Sequence, residues 1–216
     1  MKKDRHGVML VLCAPSGTGK TTLARKLLKE FPRLTYSISY TTREPRDGEV
    51  DGRDYFFTTP ERFTHLRDQG FFAEWAQVHG NQYGTPLKST IDLLAEGHDV
   101  MFDIDVHGAL QLKGSLGVDK GFFVFMMPPS YDVLEHRLRH RGTEDSFTIK
   151  RRMTSAMREM QQAHWFNAWI VNDNLDQAYD ELRSAYLAMS LAPARWPGLV
   201  ESILEGWHLH PEPGAT

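Results

Sequence analysis

The chain predicts an α/β fold of three layers, α/β/α, around a mostly parallel central sheet, and three observations carry that expectation. Apolar runs of strand length at 8–13, 99–104, 122–127 and 169–171 alternate with segments of helical periodicity. The first run leads directly into a Gly/Ser-rich loop at 14–21, and the loop leads directly into a helix. With 216 residues, 41% of them hydrophobic, the chain can bury one sizeable core and still carry a smaller inserted lobe.

Each element has its own signal. After the run at 8–13, Leu23, Ala24, Leu27, Leu28 and Phe31 recur at helical spacing until Pro32 ends the helix. The texture then changes over 35–84, with β-rich runs at 35–42 and 55–58 and a small helix opening at Thr59-Pro60-Glu61. This stretch reads as an inserted small β-rich lobe, so the core is expected at 1–34 and 85–191. A helix follows at 85–96, with Leu87, Ile91 and Leu94 on one face before Gly97, and further helices at 130–140, 147–164 and 175–191 flank the later strands. Beyond Ala192 lies an extension, 192–216, broken by Pro193, Pro197, Pro211 and Pro213. Its residues Leu199, Val200, Ile203, Leu204 and Trp207 suit one short amphipathic helix, expected to pack on its own domain.

A net charge of -3 and an isoelectric point near 6.4 argue against a general nucleic-acid binder. Cys13 is the only cysteine, which excludes an internal disulfide framework and fits a reducing cytoplasm. Lys2, Lys3 and Arg5 before an apolar run mimic an export signal, but cleavage there would destroy the loop at 14–21. No stretch has the length of a membrane span. The ten histidines lack metal-ligand spacing; His136 and His140 are four apart with no third ligand beside them.

The loop reads Ala14-Pro15-Ser16-Gly17-Thr18-Gly19-Lys20-Thr21, followed by Thr22. Strand, glycine-rich loop and helix in that order make a phosphate site, because the loop amides can turn inward around phosphate oxygens and the helix aims its positive end at them. Ala14 stands where the full pattern has glycine, which a negative φ accommodates. Lys20 is placed to reach the outer phosphates of a nucleoside triphosphate, and Thr21 to offer its hydroxyl to a magnesium ion.

Three further constellations follow. Arg43 and Arg46 lie three apart on a Pro/Gly-rich loop with tyrosines nearby, which suits a phosphate gripped from several directions, although solvated loop charges would look the same. Asp103 and Asp105 sit at the C-terminal end of a strand, where open α/β sheets bind ligands, and are equally placed to cap the next helix. The basic segment around Arg137, Arg139, Arg141 and Lys150-Arg151-Arg152 joins two helices, as a plain basic helix face would also do.

The phosphate loop, the Thr-Thr-Arg-x-Pro-Arg loop at 41–46, the Asp-Ile-Asp strand end at 103–105 and the Arg-Gly pair at 141–142 occur in the order seen in guanylate kinases. The chain resembles that family over 7–190. The resemblance implies a magnesium-dependent transfer of the γ-phosphoryl group of ATP to GMP, and to dGMP. It implies Ser39, Arg43, Arg46, Tyr55 and Tyr83 around the GMP phosphate, and Glu74 and Thr85 at the guanine edge. It implies Asp105 beside the acceptor nucleotide, and Asp103 near the magnesium through water. Arg141 and Arg152, on a helical lid at about 137–152, are implied to act with Lys20 and Arg43 on the transferred group, with Gly142 a hinge candidate. Asn172 is implied to border the adenine.

Guanine presents N1–H and N2–H donors beside an O6 acceptor, so a carboxylate with a neighbouring hydroxyl makes a complementary edge. Glu74 lies between Ala73 and Trp75 in a strand, and alternation alone does not settle which face is wet. Two other readings of the acceptor side stay open: a guanylate-kinase-like module holding phosphopeptides, and a related kinase acting on a phosphorylated sugar. A homodimer is compatible with the sequence. The retained Gly19, Lys20, Thr21 and Arg141 favour an enzyme over a scaffold.

Overall fold

A computed structural model describes residues 5–78, 80–116, 121–140 and 145–208. Its first strand, β1 (Met9–Cys13), is buried at every residue, as a strand covered on both faces must be. The central sheet has the order β2 (Leu34–Tyr36), β7 (Asp99–Asp103), β1, β8 (Gly121–Met127), β9 (Ala168–Val171), and each neighbouring pair is parallel.

Alternation along β1 divides the core. Leu10 and Leu12 join Leu23 and Leu27 of α1 (Lys20–Glu30) and Leu182 of α7 (Leu175–Ser190) on one face. Met9, Val11 and Cys13 join Ala109 and Leu112 of α4 (Val106–Leu116) on the other. Each such leucine withdrawn from water contributes about 1.5–3 kcal/mol, so the two faces hold the three layers together. The path from β1 through α1 leads to β2 at one edge of the sheet, and the path from β7 through α4 leads the opposite way, to β8 on the far side of β1. The C-terminal ends of β1 and β7 therefore meet where the winding reverses, the place at which an open sheet leaves a crevice.

A second sheet has the order β4 (Phe56–Phe57), β3 (Tyr40–Thr41), β6 (Asn81–Pro86), β5 (Phe72–Val78). Its helix α2 (Pro60–Asp68) starts where its cap predicts: Thr59 accepts from the Arg62 N–H, and Pro60 stands at the first position. Phe63 of α2 is fully buried and stacks on Phe72 at 4.6 Å.

Three expectations are corrected. The run at 35–42 is not one β segment, because Leu34–Tyr36 pairs with β7 in the central sheet while Tyr40–Thr41 pairs with β6. The helix expected at 85–96 is α3 (Leu87–Ala95), since Thr85 and Pro86 are still paired to β5 and sheet pairing prevails over local helical periodicity. The helix expected at 147–164 is α6 (Ser146–Gln161) followed by a separate 3-10 turn, Ala163–Trp165.

Leu134 and Leu138 of α5 (Tyr131–His140) close a small core of their own with Ile149, Met153 and Ala156 of α6. The start of the C-terminal extension is tied down, with His6 N–H donating to the Arg195 carbonyl at 3.0 Å and Arg5 lying 5.8 Å from the Trp196 ring centre. The chain then turns at Gly198, φ 71°, into α8 (Leu199–His208). There Leu199 and Ile203 are half-buried, while Val200 and Trp207 are 64% and 66% exposed. Among the described residues no helix is long and apolar enough to cross a membrane.

Candidate active site

A cleft of about 1050 Å³ opens over the C-terminal ends of β1 and β7. Its floor is the loop from Ala14 to Thr21, including Pro15, Ser16 and Thr18. Gly17 and Gly19 hold φ of 94° and 96°, a region that favours glycine, and this curls the loop over the start of α1. Gly19 is the N-cap of α1 and no side chain caps that end, so the helix offers its first amides to an anion. Thr22 has its N–H bonded to the Gly19 carbonyl and lies within α1, off the cleft wall.

Lys20 forms an ion pair with Asp103 at the end of β7 and donates to the Ile104 carbonyl at 3.4 Å. Burial is the largest single influence and works against the ammonium charge, but the surrounding groups, Asp103 first and then Cys13 and Glu159, together outweigh it and the lysine pKa is raised. The lysine is thus held charged at the mouth of the loop. Thr21 lines the same cleft. Among the described residues no group of three or more His, Cys, Asp or Glu side chains could hold a metal ion by itself. A hydroxyl and a carboxylate beside a phosphate loop are instead the hard oxygen donors that suit a largely hydrated magnesium ion sharing phosphate oxygens.

Across the cleft, the second sheet contributes Ser39, Tyr55, Glu74, Tyr83 and Thr85. Glu74 and Thr85 are cross-strand partners, and the Thr85 hydroxyl donates to Glu74 Oε1 at 2.5 Å. Glu74 is 4% exposed, and burial, with the Asp105 charge adding to it, pushes its carboxyl up to about 7 against the opposing Thr85 bond. The strand register shifts between Phe72 and Glu74. That bulge explains why Ala73 and Glu74 are both buried, which a strict alternation forbids.

Asp105 lines the cleft and also caps α4, its Oδ1 accepting from Gly108 N–H at 2.7 Å. Arg43 and Arg46 stand behind the cleft wall. The Arg43 guanidinium donates to both Glu49 oxygens, at 2.8 and 2.9 Å, hydrogen-bonds Tyr83 and lies 5.4 Å from the Tyr55 ring centre. Arg46 N–H donates to the same Glu49 carboxylate at 2.8 Å. Glu49 thereby holds the Arg43 guanidinium and the Arg46 backbone N–H together.

Arg152 of α6 lines the cleft from the third side and donates to the Ser16 hydroxyl at 3.2 Å. Arg141 and Gly142 lie outside the described residues. Asn172 is 4% exposed and lies beneath the loop, bonded to Thr18, off the cleft wall.

The model matched by residues 6–189 is that of the guanylate kinase domain. The chain belongs to the guanylate kinase family. A guanylate kinase of Oleidesulfovibrio alaskensis is 64% identical over 96% of this chain and all of its own length, and one of Nitratidesulfovibrio vulgaris is 62% identical over the same shares. A crystal structure of guanylate kinase from Anaplasma phagocytophilum superposes with a TM-score of 0.75 at 30% identity, covering 93% of this chain and 95% of that one.

Two cleft residues carry no motif in the sequence. Tyr36 hydrogen-bonds Asp103, and burial raises its phenol pKa above the ordinary value. It would have been found by placing 34–36 at the edge of the central sheet. Glu159 lines the cleft seven residues after Arg152, two helical turns on, and its carboxyl pKa is raised by burial. The i, i+7 spacing was the available signal.

Proposed function

We propose that the chain transfers the γ-phosphoryl group of ATP to GMP and dGMP, giving ADP and GDP or dGDP, with magnesium. One observation carries the reading: Lys20 with the phosphate loop, and Glu74 with Thr85, Tyr55 and Tyr83, face a single cleft. A donor triphosphate on the loop and a guanine on Glu74 would present the acceptor phosphate to the γ-phosphoryl group. In this proposal the acceptor lobe is 37–86, because Leu34–Tyr36 belongs to the central sheet and β6 ends at Pro86, and 137–152 is the lid.

Phosphoryl transfer leaves little covalent work for the protein, so alignment and cations set the rate. A phosphate oxygen of GMP attacks the γ-phosphorus, the bond to the β–γ bridging oxygen breaks, and ADP leaves with the electron pair. The acceptor oxygen is already ionised near neutral pH and needs no base. Lys20 and Arg152 face the charge on the transferred group, with Arg141 as the implied lid partner. The Arg43 guanidinium exchanges Glu49 for the GMP phosphate and the Arg46 guanidinium joins it there, assisted by Ser39, Tyr55 and Tyr83. Thr21, and Asp103 through water, would hold a magnesium ion, which would supply neutralisation of phosphate charge.

Ionised Glu74 accepts from guanine N1–H and N2–H, while Asp105 braces the same corner. Adenine would set its N1 lone pair against that buried carboxylate, a mismatch of the kind that costs orders of magnitude. A coupled assay of ADP release with GMP, dGMP, AMP and UMP tests this. Turnover is expected with the two guanine nucleotides, and comparable rates with AMP would overturn the guanine edge.

A further inference from the structure

We propose that Asn172 is a positioning residue for the donor phosphates, holding the phosphate loop in shape from below and acting on the phosphates through Thr18 and Gly19. The residue follows β9 directly and is attached at three points. Its backbone N–H donates to the Met127 carbonyl at the end of β8, at 2.9 Å. Its carbonyl accepts from the Arg137 guanidinium of α5 at 3.0 Å. Its side-chain Nδ2 donates to the Thr18 carbonyl at 2.7 Å. The Met127 bond fixes the residue on the central sheet, the Arg137 bond ties it to α5, and the Thr18 bond carries that support to the loop.

The loop is built to receive it. A Cβ on Gly19 would stand 2.5 Å from Asn172 Nδ2, so the left-handed glycine that the turn needs also makes room for the amide. Thr18 is fully buried and Asn172 almost so, which means that water does not replace the bond when the donor is removed. Neither the burial nor the position off the cleft wall suits a side chain that reads a base. A loop whose amides must converge on phosphate oxygens loses affinity and rate when a supporting bond is lost, because preorganisation is what such a cradle contributes.

The proposal rests on the donor-site reading above, and one set of measurements separates the two. Inorganic tripolyphosphate, which has no base, is titrated in magnesium buffer into the full chain and into Asn172→Ala and Asn172→Leu, the latter keeping the volume without the donor. ATP, GTP and GMP are titrated alongside. Tripolyphosphate and ATP are expected to weaken together, by about tenfold or more, the order expected for one buried hydrogen bond. GMP affinity and the ATP-over-GTP preference are expected to stay as they are in the natural chain, and the GMP titration verifies that each variant is folded. Unchanged tripolyphosphate binding in whichever variant binds GMP normally would overturn the proposal, as would a loss confined to ATP. Failure of the natural chain to bind tripolyphosphate in competition with ATP would instead remove the donor-site reading.

Discussion

The Thr85 hydroxyl donates a hydrogen bond to Glu74 Oε1 across the β5–β6 pair at 2.5 Å, and Glu74 is 4% exposed. The pair is thus assembled before any ligand arrives, and the carboxyl's raised pKa, about 7, follows from burial first and the Asp105 charge second. GMP requires the ionised form, because both facing guanine groups are donors. The KM for GMP should therefore fall as pH rises from about 5.5 to 7.5, while the KM for ATP follows no such trend. Steady-state kinetics across that range, with Glu74→Gln as the variant that loses both the trend and most GMP turnover, check this.

The same group affects stability in a defined direction. The folded state binds more protons than the unfolded state between the ordinary carboxyl value, 4.5, and about 7, so this group's contribution falls as pH rises through that window. Glu74→Gln should flatten that part of the stability profile, read as denaturation midpoints at pH 5 and pH 7.5.

Gly108 sets how closely α4 approaches the guanine corner. A Cβ there would stand 2.7 Å from Glu74 Oε2 and 3.3 Å from Asp105 Oδ1. Gly108→Ala should push the carboxylate from its place and raise the KM for GMP by about tenfold, since a misplaced buried hydrogen bond costs on the order of 1–3 kcal/mol. The ATP affinity should be unchanged, and titrating both nucleotides into the variant decides it.

Lys20→Ala removes the cation that pairs with Asp103 and that is proposed to face the outer phosphates. The loss of a preorganised charge at the reacting group should lower kcat by roughly 10³-fold or more. GMP binding, on the far wall of the cleft, should persist. Near-normal turnover in this variant would refute the loop assignment.

Far from the cleft, Asp99 accepts from Arg5 at 2.8 and 3.0 Å, from Tyr186 at 2.6 Å and from Val8 N–H at 2.9 Å. Arg5 is 6% exposed and Asp99 1% exposed. Asp99→Ala strands a buried guanidinium and should cost about 3–5 kcal/mol in denaturant unfolding, without altering the KM for either nucleotide in the folded fraction.

Periodicity and local chemistry made much of this molecule legible in advance. The three inner strands, β1, β7 and β8, read as continuous apolar runs because both faces are covered, and the phosphate loop declared itself because glycine favours the φ that Gly17 and Gly19 adopt. What local pattern could not supply was pairing. Leu34–Tyr36 reads like the residues after it, and only its bonding to β7 separates it from the second sheet. Glu74 could not be assigned a face, because the bulge that turns it inward depends on where β6 lies.

The chemistry of the two cradles was thus inscribed in residue type and spacing, since those set which groups can grip a phosphate or match a guanine. Their meeting in one cleft, the capture of Arg43 by Glu49 and the support of Thr18 by Asn172 arise only when elements distant in the chain are packed together. Hydrogen bonds and burial between such elements depend on three-dimensional proximity, which no window along the chain contains.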